Sequence, residues 1–229
     1  MQKSVLITGC SSGIGLESAL ELKRQGFHVL AGCRKPDDVE RMNNMGFTGV
    51  LIDLDSPESV DRAADEVIAL TDNCLYGSLT MPDLACMAPF PPSAVRRWNS
   101  KFRQLFRRAH QLTMRLLPAM LPHGEGRIVM TSSVMGLIST WLLALTRPVN
   151  MRWRRGQTHC AWSCATAELK SRLIEPGPIR TRFTDNVNQT QSDKPVEIRI
   201  AARFTLGPEA VVDKYATLLL ARSRRCAIR

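Results

Sequence analysis

The chain has 229 residues, 44% of them hydrophobic and 23% charged, which is enough for one domain with a full core. Its formal charge of +10 and isoelectric point of about 9.7 would suit a nucleic-acid partner, but the excess is confined to three blocks, 78–108, 141–170 and 215–229. No apolar run approaches the ~20 residues that span a bilayer, Met1 is followed at once by a core strand with no room for a signal peptide, and seven cysteines without framework spacing suit a reducing cytosol, so a cytoplasmic protein is expected.

Val5-Leu6-Ile7 predicts a buried first strand, and Thr8-Gly9-Cys10-Ser11-Ser12-Gly13-Ile14-Gly15 follows it directly. Three glycines leave no Cβ in the way, so backbone N–H groups can approach a pyrophosphate at a helix N-terminus. The next segment supplies that helix, with Leu16, Ala19 and Leu20 on one face. Strand, turn and helix in this order predict a dinucleotide-binding βαβ unit. Cys10, inside the turn, reads as a small space-filler rather than a reactive thiol.

The second strand, His28-Val29-Leu30-Ala31, ends at Gly32-Cys33-Arg34-Lys35. Residues just past this strand meet the adenosine ribose in such folds. A carboxylate there would bind a free 2′-hydroxyl, whereas a guanidinium grips a 2′-phosphate. Arg34 stands in that place, with Lys35 beside it and no carboxylate before Asp37, which favours NADP over NAD. A third strand, Gly49-Val50-Leu51-Ile52, runs into Asp53-Leu54, where Asp53 is a candidate for the adenine amino group or a polar strand end. Ser56 then predicts an N-cap with Pro57 at the first helical position. Val60, Ala63, Ala64, Val67 and Ile68 recur at helical spacing, so this helix covers the sheet. Further on, His110 shares a helix with Leu112, Leu116 and Met120 and reads as a surface or packing residue.

With these residues the chain resembles the short-chain dehydrogenase/reductase family, whose glycine spacing matches Thr8, Gly9, Gly13 and Gly15. The stretch Gly126-Arg127-Ile128-Val129-Met130-Thr131-Ser132-Ser133 resembles the family's fifth strand running into its catalytic serine. Glu175-Pro176-Gly177-Pro178-Ile179-Arg180-Thr181 resembles the loop that covers the nicotinamide. The likeness spans the islands 1–77, 109–140 and 171–214. It implies one α/β domain over 1–214, a doubly wound parallel sheet of the Rossmann type, followed by an aberrant basic segment at 215–229. It also implies an NADP(H)-dependent oxidoreductase interconverting an aldehyde or ketone and an alcohol. Ser133 would polarise the substrate carbonyl. Thr8, Gly9, Ser11, Ser12, Gly13, Ile14, Gly15, Arg34, Asp53, Leu54, Pro176, Gly177, Ile179 and Thr181 would line the cofactor. Pairing into a dimer or tetramer follows from the same analogy.

The family's proton donor is a tyrosine thirteen residues after that serine, with a lysine four further on. Those positions hold Thr146 and Asn150, and the chain's two tyrosines, Tyr76 and Tyr215, have no lysine at that spacing. Leu79-Thr80-Met81-Pro82-Asp83 stands where the family's Asn-Asn-Ala-Gly is expected. These departures fall in the three blocks, which are expected to be irregular or poorly compatible with the fold. The blocks hold fifteen Lys/Arg and two Asp/Glu, a net of +13, so the rest of the chain carries −3. All four tryptophans, Trp98, Trp141, Trp153 and Trp162, lie in them too.

Ser78 through Pro89 and Ala144 through Gly156 can both be written in codons that, read with one two-base offset, restore Asn-Asn-Ala-Gly and a Tyr-Ala-Ala-Ser-Lys run at family spacing. The blocks therefore read as a frame-shifted stretch of a reductase gene. Three outcomes follow: a reductase with a damaged sequence, a cofactor-binding pseudoenzyme, or a product that does not fold, the last being the expectation for the chain as written. Within the blocks, His159, Cys160 and Cys164 lack the spacing of a zinc site, so no metal is expected. Arg96-Arg97-Trp98 and Arg152-Trp153-Arg154-Arg155 interleave cations and aromatics, but their place in the blocks argues against nucleic acid. The expected partner is a small carbonyl compound or alcohol, with no membrane.

Overall fold

The computed structural model of the protein describes residues 2–81, 107–123, 125–132, 169–177, 179–181 and 205–220. The elements in chain order are β1 (Ser4–Thr8), α1 (Gly13–Arg24), β2 (His28–Cys33), α2 (Pro36–Asn44), β3 (Thr48–Leu51), α3 (Pro57–Leu70) and β4 (Leu75–Thr80). Helix α4 (107–120), one 3-10 turn (Leu121–His123), β5 (Gly126–Thr131), β6 (Leu169–Ile174) and α5 (Glu209–Leu220) follow. All six strands are parallel, in the order β3-β2-β1-β4-β5-β6. The doubly wound Rossmann-type sheet expected from the sequence is therefore present.

A parallel sheet is covered on both faces, so its strands read as continuous apolar runs. Side chains alternate between the faces with period two. Accordingly Leu6 joins Leu30, Val50 and Ile128 on one side, against Val60, Ala63, Ala64 and Val67 of α3 and Leu112, Leu116 and Met120 of α4. Val5 and Ile7 face the other side, with Val29 and Ala31, against Ala19 and Leu22 of α1, Met42 of α2 and Tyr215 and Leu219 of α5. Complete burial of a leucine such as Leu22 contributes about 1.5–3 kcal/mol. Leu16 and Leu20 are only partly buried on this second face, and Ile68 only partly on the first.

The cap expected at Ser56 forms: its hydroxyl accepts the Ser59 N–H at 3.2 Å and donates to Glu58 at 2.8 Å. Helix α2 is an addition to the sequence reading. Pro36 at its first turn and Asp37 and Asp38 beside the positive helix end were the available signals. Strand β3 begins one residue earlier than expected, at Thr48, and Ile52 still donates to the Cys33 carbonyl at 2.8 Å.

The ends of the three irregular blocks need correction. Residues 78–80 are buried in β4, Leu169 and Lys170 begin β6, and α5 runs through the expected boundary at 214. Tyr215 is completely buried there, and its hydroxyl lies 2.6 Å from Thr131 Oγ1. Tyr76 donates to the Leu219 carbonyl at 2.7 Å, so both tyrosines hold α5 to the sheet. These positions fit because apolar or small side chains suffice for a buried strand or an amphipathic helix, whatever reading produced them. Met81 follows β4 and residues 107 and 108 lie in α4; the rest of the blocks lies outside the described residues.

Candidate functional site

Strand order reverses between β1's neighbours, β2 and β4, so the turn after β1 opens at the sheet's topological switch point. Gly9 and Gly13 hold φ of +74° and +60°, a left-handed backbone that favours glycine. Gly15 is needed for a different reason: a Cβ there would stand 2.2 Å from the Gly9 carbonyl oxygen. Turn and helix α1 thus touch backbone to backbone. The first-turn N–H groups of α1 have no partner within the helix, and the Ser12 side chain at its N-cap accepts none of them. Donors aimed out of a positive helix end, in a cradle that side chains would fill, fit a pyrophosphate.

The floor of this cradle is tied together by local bonds. Thr8 is buried, and its hydroxyl accepts the Met81 N–H at 2.9 Å, joining the ends of β1 and β4. The Cys10 N–H donates to the Gly32 carbonyl at 3.0 Å, which ties the turn to β2. The buried Cys10 thiol donates to the Ile7 carbonyl at 3.1 Å. Burial, then the neighbouring Cys33 sulfur, pushes the Cys10 thiol well up, with the Gly32 bond partly offsetting them. Cys10 is thus the inert space-filler expected, since the thiolate is the reactive form. Ser11 presents its carbonyl to Arg41 of α2, whose Nη2 donates at 2.6 Å. Arg41 was missed because nothing in the sequence shows that α2 folds back over the turn.

The later residues expected to line a cofactor reach the same place. Around Gly13, a Cβ would stand 3.2 Å from both Cβ and Cγ2 of Thr181, so the loop after β6 closes against the glycine turn. Ile179 is held there by a bridge to Leu206, supported by the Arg180 N–H donating to the Leu206 carbonyl at 2.8 Å. Both Ile14 and Ile179 pack on the α1 side of the core. Pro176 is half-buried and Gly177 exposed.

At the other end of the cradle, Arg34 is the first residue past β2 and is exposed beside Lys35. Half-buried Asp53 accepts the Asp55 N–H on Oδ1 at 2.9 Å, which commits one carboxylate oxygen to its own turn. Its backbone N–H donates to Ser59 Oγ at 3.0 Å. Leu54 packs on the α3 side of the core.

Ser133 lies outside the described residues, one position past Ser132, whose N–H donates to the Ile174 carbonyl at 2.8 Å. Thr146, Asn150, His159, Cys160, Cys164 and the Arg/Trp runs at 96–98 and 152–155 lie outside them as well. Among the described residues no cluster of His, Cys, Asp or Glu is arranged to hold a metal. No described helix is long and apolar enough to cross a membrane. His110 is exposed, the surface reading of the two given above.

A family model described as short chain dehydrogenase matches residues 3–144. The Escherichia coli K12 protein named "Uncharacterized oxidoreductase YbbO" is 71% identical over 222 residues, spanning 93% of this chain and 80% of that one. Bovine retinol dehydrogenase 8 is 28% identical over 192 residues, 79% of this chain and 60% of its own. Among solved structures, L-sorbose reductase from Gluconobacter frateurii superposes with a TM-score of 0.78 at 19% identity, covering 95% of this chain and 89% of that one. A Caenorhabditis elegans short-chain dehydrogenase/reductase gives 0.79 at 16%, covering 95% and 88%. At these identities the two structures speak to the fold.

Proposed function

The chain belongs to the short-chain dehydrogenase family of oxidoreductases, which carry a nicotinamide cofactor, and from that premise we propose that it is built to bind NADP(H) and interconvert an aldehyde or ketone with an alcohol. The observation that carries the cofactor reading is the glycine turn at the switch point, with Thr181 closed against Gly13. NADP(H) is favoured because Arg34, rather than a carboxylate, follows β2. Once bound, nicotinamide supplies or accepts the hydride. The chain's own residues divide the remaining work. Gly9, Ser11, Ser12, Gly13, Ile14 and Gly15 seat the pyrophosphate over a floor shaped by Thr8. Arg34 takes the 2′-phosphate, Asp53 and Leu54 border the adenine, and Pro176, Gly177, Ile179 and Thr181 cover the nicotinamide end. Ser133 hydrogen-bonds the substrate oxygen.

What the chain as written lacks is a proton donor for that oxygen. A phenol titrates near pH ~10 and needs an adjacent ammonium to work near neutrality. Neither tyrosine qualifies: Tyr215 is buried and bonded to Thr131, and Tyr76 to Leu219. The frame-shift reading explains the loss. The family match runs through the first block and stops at 144, just inside the second.

The test has two arms. Nucleotide sequence across 75–110 and 140–172 should hold codons that restore Asn-Asn-Ala-Gly and the tyrosine–lysine pair on a two-base shift. A chain repaired accordingly should turn over carbonyl compounds with NADPH, while the chain as written should show no turnover, and a cooperative melt raised by NADPH would decide for the pseudoenzyme over a product that does not fold. Incompatible codons would remove the frame-shift account and leave the cofactor-binding pseudoenzyme. If neither version binds a nicotinamide nucleotide, the cofactor assignment fails.

A further inference from the structure

We propose that Arg41 is a second cofactor-specificity residue, holding the glycine turn with one nitrogen and offering the rest of its guanidinium to the ribose 2′-phosphate of NADP(H). This rests on the cofactor reading above and adds a residue that neither the sequence pattern nor position after β2 would select.

Arg41 lies in the last turn of α2, thirty residues from the turn it touches. Its Nη2 donates to the Ser11 carbonyl at 2.6 Å and pairs with Asp38 Oδ1 at 3.1 Å. Both contacts use the same nitrogen, so among the described residues Nε and Nη1 make no contact with a protein acceptor. The side chain is 45% exposed, which leaves that edge open to a ligand. Its charge is also felt at Cys33, the last residue of β2, where it lowers a thiol that burial and Asp38 raise. The guanidinium therefore stands between the pyrophosphate turn and the end of β2, where a dinucleotide's adenosine ribose sits. Arg34 begins the connection from β2 to α2, so the two arginines flank this place from successive elements.

Asp38 neutralises part of the charge and fixes the side chain, which lowers the ordering cost of binding. Both bidentate edges of the guanidinium include the engaged Nη2, so Nε and Nη1 would each reach a phosphate oxygen through a single charge-assisted bond. Lysine could supply charge, but its single nitrogen could not hold Ser11 and Asp38 and also reach the phosphate.

The test compares NADPH, NADH and adenosine 2′,5′-bisphosphate binding by the full chain, its Arg41→Ala and Arg41→Lys variants, and Arg34→Ala. Arg41→Ala should weaken NADPH and the bisphosphate about tenfold and leave NADH within about twofold. Arg41→Lys should recover only part of the loss. Thermal melting with an unchanged transition shows that the variants remain folded. Equal loss of NADPH and NADH would mean that Arg41 only holds the turn, and would overturn the specificity role alone. NADPH binding unaffected by Arg41→Ala but lost in Arg34→Ala would also overturn it. If the parent chain alone fails to bind NADPH, the same comparison in the repaired chain decides the role of Arg41; failure of both to bind would overturn this inference and the cofactor reading together.

Discussion

Replacing Gly15 by alanine separates the close approach at the glycine turn from backbone strain. Gly15 has an ordinary backbone, so alanine brings no conformational penalty, only a methyl group. That methyl carbon would stand 2.2 Å from the Gly9 carbonyl oxygen, 2.7 Å from its carbon and 3.2 Å from the Cys10 nitrogen. Ordinary contact begins near 3.4 Å, so α1 and the turn must part by roughly 1 Å. The obstacles are all backbone, with no flexible side-chain end to yield. Overpacking of this kind costs about 1–3 kcal/mol, which lowers Tm by roughly 2–12 °C in a protein of this size. The same displacement moves the amide donors off the pyrophosphate, so NADPH affinity should fall at least about tenfold, or ~1.4 kcal/mol.

Gly26→Ala is the control. Gly26 has φ of +85° with nothing near its Cβ position, and it lies at the opposite end of the strands. It should cost about 1–2 kcal/mol of backbone strain and leave cofactor binding alone. Nucleotide titration followed by protein fluorescence, with thermal melting with and without NADPH, reads both quantities. A Gly15→Ala chain that melts like the parent and binds NADPH as tightly would refute the proposed backbone contact and its place in the site.

Further outcomes follow from the surrounding structure. Ser56→Ala removes the α3 cap and should cost about 1 kcal/mol by chemical denaturation, with cofactor affinity unchanged. Tyr215→Phe removes the bond to Thr131 and should cost about 0.5–1.5 kcal/mol, read as a lower Tm. Burial first, then Asp38, with Arg41 opposing, pushes the Cys33 thiol up from its ordinary 9.0 to about 11. The folded state therefore prefers the protonated thiol, and that preference stabilises it fully below pH ~9. Stability should fall as pH rises from about 9 through about 11, because the unfolded chain ionises first. A Cys10→Ala/Cys33→Ala chain melted across this range should show a shallower decline; an identical slope would place the alkaline loss elsewhere.

The sequence alone determined the elements whose causes are local. Val5-Leu6-Ile7 has to be buried, the Thr8–Gly15 spacing has to turn, and Ser56-Pro57 has to start a helix, since each depends on neighbours a few residues away. Arg34 could be proposed for the cofactor's ribose because it follows a recognisable strand directly. Long-range juxtaposition was not legible. Only the folded sheet brings Thr181 against Gly13, Arg41 onto the Ser11 carbonyl and Met81 onto the Thr8 hydroxyl. It also recruits Tyr215 and Leu219, from a segment whose composition set it apart, into the core beneath α1. The physical reason is that periodicity and turn chemistry act within a few residues, whereas burial and hydrogen-bond partnership belong to strand order, which places residues far apart in the chain side by side.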